Sequence, residues 1–87
     1  MQNYLFYLII LYPNPAENSI VITYTGDMQN LKDCMMEIYD IYGSAVKSIY
    51  INNVTQDVNI SDLARGMYLY RIIDTGKVLY YSKFIKM

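Results

Sequence analysis

The chain contains no histidine and no tryptophan. Without histidine it lacks the commonest general base and the commonest metal ligand, and no Ser/His/Asp set can be assembled. A single cysteine, Cys34, rules out an intramolecular disulfide and a thiolate zinc site. Cys34 lies in an apolar run and is expected to be a buried strand residue rather than a reactive thiol. The missing disulfide leaves the compartment open. The formal net charge is only -1, so there is no overall draw towards nucleic acid. No GxGxxG, GxxxxGK or DxDxDG-type run occurs. No catalytic, cofactor or metal site is therefore expected, and the chain is read as a non-enzyme.

What is present points to strands. With 87 residues, one domain is the default, and a domain of this size buries roughly 60–65% of its unfolded surface, enough for one thin core. At 54% hydrophobic residues the chain is too apolar for disorder. Eleven tyrosines suit a pleated, half-buried surface better than a helix. Only two prolines and four glycines occur, mostly where turns are wanted. The clearest unit is Glu37–Val46, EIYDIYGSAV, which reads as strand, tight turn at Gly43 and start of a returning strand.

In chain order, Met1–Leu11 is the odd piece. Its apolar run, Tyr4–Tyr12, is too short to span a bilayer, which takes about 20 helical residues. It has the length of a signal h-region, but no Lys or Arg precedes it and no small-residue cleavage site follows. A first strand is the preferred reading, ahead of a tail or a signal. Domain limits are set at 1–11 for this extension and 12–87 for the rest. Tyr12-Pro13-Asn14-Pro15 then breaks the run, because neither proline can donate to a ladder. Ile20, Ile22 and Tyr24 are assigned inward.

Gly26–Asp33 reads as a polar loop. Met36 and Ile38 are assigned inward, Glu37 and Tyr39 outward. Asp40 and Gly43 set the turn. Val46 is assigned inward and Lys47 outward, with a bulge expected near Ser48-Ile49. Val58 and Ile60 point inward. Ser61–Gly66 reads as one helical or 3₁₀ turn, capped by Ser61 and ended by Gly66 in the left-handed conformation. Tyr68, Tyr70 and Ile72 share one strand face, Leu69 and Arg71 the other. Asp74-Thr75-Gly76-Lys77 is a hairpin loop. In Val78–Met87 the alternation is too poor to assign faces. Six or seven short strands, regular turn signals and no amphipathic helix argue for an all-β antiparallel sandwich.

The remaining side chains carry little chemistry. Glu17, Asp27, Asp33, Glu37, Asp40, Asp57, Asp62 and Asp74 fall at turns or outward positions and read as solvated. Lys77, Lys83 and Lys86 alternate with Tyr80, Tyr81 and Phe84, but three lysines are a weak nucleic-acid footprint. They read better as guards of an edge strand. Two N-glycosylation sequons, at Asn53 and Asn59, carry no weight.

The order of four pieces is more telling. Tyr12-Pro13-Asn14-Pro15-Ala16 comes before Ile20-x-Ile22. Then come Glu37-Ile38-Tyr39-Asp40-Ile41-Tyr42-Gly43-x-x-Val46, and Val58-x-x-Ser61-x-Leu63-x-x-Gly66-x-Tyr68. Lys83-Phe84-Ile85-Lys86 closes the series. The series resembles the C-terminal sorting domain of the type IX (Por) secretion system, type A, over about Leu11 to Met87. The resemblance implies a seven-stranded immunoglobulin-like sandwich and a role as an address rather than a catalyst. It implies export of an upstream cargo in Bacteroidetes-type bacteria, from periplasm to cell surface or medium, given a secretory signal upstream. The implied partners are the type IX translocon and a sortase-like peptidase, with no nucleic acid and no membrane span.

By resemblance, Pro13, Asn14, Pro15, Asp40, Gly43, Leu63, Gly66 and Tyr68 are family-motif positions. Lys83, Phe84, Ile85 and Lys86 are the candidate translocon-recognition strand, with an open edge that strand addition could read. One departure stands out: Met1 begins only eleven residues before Tyr12, without cargo. A fragment of a longer gene, a degenerate stand-alone copy, or an apolar start that serves as an unorthodox signal is therefore expected. The competing reading is an independent immunoglobulin- or fibronectin-like interaction or spacer module, because fold alone does not separate these roles. A nucleic-acid binder comes third.

Overall fold

Runs of alternating apolar and polar side chains put one face of each strand against a core. The computed structural model describes residues 9–25 and 31–87. Seven strands form among them: β1 Ile9–Tyr12, β2 Ser19–Tyr24, β3 Cys34–Tyr39, β4 Ala45–Tyr50, β5 Thr55–Asn59, β6 Gly66–Asp74 and β7 Lys77–Lys86. The described residues contain no helix, and so none long and apolar enough to cross a membrane. The apolar start at 1–8 and positions 26–30 of the polar loop lie outside the described residues.

The strands pair antiparallel in two sheets, ordered β1-β2-β5 and β4-β3-β6-β7. This is the expected immunoglobulin-like β-sandwich. Ile20, Ile22, Tyr24 and Val58 from one sheet meet Met36, Ile38, Tyr68, Tyr70, Ile72 and Phe84 from the other. Burying each such side chain contributes about 1.5–3 kcal/mol. The inward sets expected on β2 and β3, together with Val58 and Ile60, are all buried, and of the two faces read on β6 the buried one is that of Tyr68, Tyr70 and Ile72. Cys34 is buried too, and its thiol is pushed up to about 11, by burial first and then by Asp74 and Asp33.

Several local readings are corrected. Val46 is not inward: it is 39% exposed. Ile38 pairs with Lys47 while Tyr39 pairs with Ala45, so Val46 is the extra residue of a bulge. The bulge lies earlier than Ser48-Ile49 and inverts the phase of β4. Lys47 thus shares the face of Ile38, and its ammonium reaches out at the rim to Asp62 Oδ2 at 3.1 Å.

Ser61–Gly66 forms no helical turn. Asn59, not Ser61, supplies the cap: its Oδ1 accepts from the Ser61 N–H at 2.8 Å and the Ser61 hydroxyl at 2.7 Å. Gly66 is the first residue of β6, with φ +149° rather than the left-handed helical value. Nor is Asp74 merely solvated. Its Oδ1 accepts from the backbone N–H of Lys32 at 2.9 Å and of Asp33 at 2.7 Å.

A second bulge explains the unreadable last strand. Ile72 pairs with Tyr80 and Ile73 with Val78, leaving Leu79 over. Beyond it, Tyr80, Ser82, Phe84 and Lys86 turn inward, and Tyr81, Lys83 and Ile85 outward. The Asp74–Lys77 hairpin is as expected: Asp74 pairs with Lys77 across a two-residue loop, with φ +51° at Thr75 and +80° at Gly76.

Candidate recognition surface

The proline-rich opening motif switches sheets. β1 follows β2 as far as the Tyr12 and Val21 pair. Pro13 and Pro15 then offer no N–H, and the chain leaves that ladder. It lands on the other sheet, where fully buried Ala16 forms a parallel bridge with Lys86. The Ala16 N–H donates to the Ile85 carbonyl at 2.8 Å, and the Met87 N–H donates to the Ala16 carbonyl at 2.7 Å. Asn14 Oδ1 accepts from the Ile85 N–H at 2.9 Å. Asn14–Ala16 is thus a clasp over the end of β7. The edge expected to lie open at Ile85–Met87 is occupied by the chain itself.

The Asp40–Gly43 turn is closed by two kinds of bond. The Gly43 N–H donates to the Asp40 carbonyl at 3.1 Å, and the Asp40 N–H to the Ser44 carbonyl at 3.0 Å. The Asp40 carboxylate accepts from the N–H groups of Tyr42 and Ser44, at 2.9 and 3.0 Å. Gly43 takes φ +85°, which a side chain would disfavour.

The Leu63-x-x-Gly66-x-Tyr68 piece forms the corner between β5 and β6. Leu63 packs against the core, and its N–H donates to the Ile60 carbonyl at 3.0 Å. Buried Tyr68 sends its hydroxyl back to the Ala64 carbonyl at 2.6 Å. This is a tyrosine corner, a device that immunoglobulin-like sandwiches use to pin the chain between two sheets. The Tyr68 ring stacks on Phe84, with centroids 5.7 Å apart.

On β7 the candidate residues divide by face. Phe84 is fully buried in the core. Lys86 is buried as well, with Nζ donating to the Met87 carbonyl at 3.1 Å. Lys83 and Ile85 are exposed, and only these two can meet a partner without opening the sandwich.

On the outer face of the four-stranded sheet, Glu37 accepts from Tyr39 Oη and, at 2.6 Å, from Arg71 Nε. The Arg71 guanidinium lies 5.5 Å from the Tyr39 ring centroid. The hydroxyl of Tyr39 and the guanidinium of Arg71 hold the Glu37 carboxyl below its usual range, and Glu37 in turn raises Tyr39 and Arg71. Apolar Leu69, Val78 and Tyr81 surround this cluster and line a groove of about 520 Å³.

The motif pieces, spread over positions 13 to 86, converge on one end of the sandwich. Asp40, Ile41 and Tyr42 line one cleft with Ala64, Gly66 and Tyr68. Gly66 pairs with Lys86, and Lys86 bridges to Ala16. Sequence reasoning missed Ala16, Asn59 and the Glu37–Arg71 pair. Ala16 sits inside the opening motif, but a lone alanine carries no signal of burial. Glu37 and Arg71 are 34 positions apart, and only the β3–β6 register joins them.

Among curated proteins, none matches the chain. A family model described as "Secretion system C-terminal sorting domain" matches residues 10–87.

Proposed function

The chain belongs to the secretion system C-terminal sorting domain family, and from that premise we propose that it is an address read by the type IX translocon. It directs an upstream cargo from the periplasm to the cell surface or the medium, and a sortase-like peptidase removes it there. The domain supplies no catalytic step. The observation that carries this reading is the family match over residues 10–87. The convergence of the motif positions on one end of the sandwich supports it. Lys83 and Ile85 are proposed as the side chains read on β7, with Phe84 and Lys86 holding the strand from inside. Residues 12–87 are proposed as the body of the sorting unit and the apolar 1–11 stretch as the source of its first strand, since Ile9–Leu11 pair with β2.

The test fuses residues 1–87 to a reporter bearing a secretory signal, in a type IX-competent host. Surface or medium delivery is the expected result. A reporter that stays in the periplasm while a known sorting domain is delivered would sink the proposal. The same experiment separates the address from an interaction or spacer module of the same fold, which would leave the reporter in the periplasm.

A further inference from the structure

The four strands at sheet edges are not equally guarded. β1 runs straight into Pro13, and β5 has only five residues. β4 is interrupted by the Val46 bulge, and the Lys47–Asp62 pair lies across its rim. Gln56 roofs the end of β4: its amide donates to the Tyr50 carbonyl at 2.7 Å and accepts from the Asn52 N–H at 3.0 Å. β7, with ten residues, is the longest strand among the described residues. Its last stretch is closed by the clasp, through the backbone groups of Ile85 and Met87.

The clasp also reveals which backbone groups of β7 point away from β6. Ile85 directs its N–H and its C=O outward, to Asn14 and Ala16. The β6–β7 register runs unbroken from Lys86 back to Tyr80. Alternation in an antiparallel ladder therefore aims the N–H and C=O of Lys83 and Tyr81 outward too. Among the described residues no other strand pairs with them, because β1 has crossed to β2. The seam between β1 and β7 is a groove of about 280 Å³, lined by Ile10, Leu11, Asn14, Tyr80, Ser82 and Lys83. Lys83 is exposed and makes no ion pair among the described residues.

We infer that the Tyr81–Lys83 edge of β7 is a strand-acceptor site, taking an extended segment of the translocon that carries a carboxylate where it passes Lys83. The inference rests on the sorting reading and locates it: the main chain is read upstream of the clasp, not at the chain's last residues. An added strand satisfies the outward groups of Tyr81 and Lys83, as the clasp satisfies those of Ile85. It continues the edge on which Asn14–Ala16 already lies.

The test compares Lys83→Pro with Lys83→Ala in the full-chain reporter fusion. Both lose the charge; only proline removes the outward N–H and blocks the edge, and neither touches a ladder bond to β6. Delivery should fall roughly tenfold or more in Lys83→Pro relative to Lys83→Ala, with both chains folded by circular dichroism. Equal delivery of the two overturns the inference while leaving the sorting role intact. Failure of the unsubstituted fusion overturns both.

A second measurement does not depend on proline being tolerated. A benzophenone photo-crosslinker replaces Tyr81, which is 78% exposed, or Tyr42, which is 86% exposed at the motif-bearing end. An adduct with an outer-membrane translocon protein is expected from position 81. Its absence there, in a fusion that is delivered, overturns the inference.

Discussion

At the scale of single residues, stability at this end of the molecule rests on hydrogen bonds that one atom can remove. Tyr68→Phe keeps the stacked ring but loses the bond to the Ala64 carbonyl. It should cost about 1 kcal/mol, read as a lower urea midpoint at unchanged slope. Glu37 sets a pH dependence. Its folded pKa lies below the ordinary value of 4.5 because Tyr39 and Arg71 hydrogen-bond its carboxylate. Its contribution is therefore present above that value and lost as pH falls below it. Urea titrations should show Glu37→Gln less stable than the parent chain at pH 7, with the gap closing as pH falls below 4.5. Tyr39, raised above 10.0 chiefly by donating to Glu37, works in the other direction. Its share is present below that value and lost as pH rises past it.

At the scale of elements, turns and clasps decide which strands meet. In the β6–β7 hairpin both central residues have positive φ, and Thr75, at +51°, is β-branched. That conformation costs an L-residue about 1–2 kcal/mol, and asparagine tolerates it best. Thr75→Asn should raise stability by about 1 kcal/mol, and Tm by roughly 4–8 °C for a domain of this size. The clasp makes the opposite kind of prediction. Asn14→Ala removes the acceptor for the Ile85 N–H. Hydrogen exchange at Ile85 should quicken, while that of Phe84, bonded towards β6, should be little changed. Equal quickening at both would show that the side chain supports the whole strand rather than its outer edge.

At the scale of the molecule, the residues singled out by their resemblance to the family motif are mostly the ones that close the sandwich. Phe84 is the clearest case: it lies in the candidate recognition strand, yet packs on Tyr68 and Tyr70 at the centre of the core. Phe84→Ala should cost about 3–5 kcal/mol, a large share of what a small domain has. In the reporter fusion it should abolish delivery together with the thermal unfolding transition. Loss of delivery with the transition intact would mean that the ring is read directly.

The primary structure alone determined the strand class, the order of the turns, the inward faces of β2 and β3, the grouping of Tyr68, Tyr70 and Ile72 on one face of β6, and the family. Those follow from period-two patterning and from residues whose chemistry is local, such as Asp40 and Gly43. Tertiary structure decided the rest. The bulges at Val46 and Leu79 are register shifts against the neighbouring strand, so an extra residue shows only against its partner. Whether β7 had an open edge depended on where Asn14–Ala16 came to lie, some 70 positions away. A ladder bond joins backbone groups that every residue carries, so the sequence holds no mark of which ones stay uncovered.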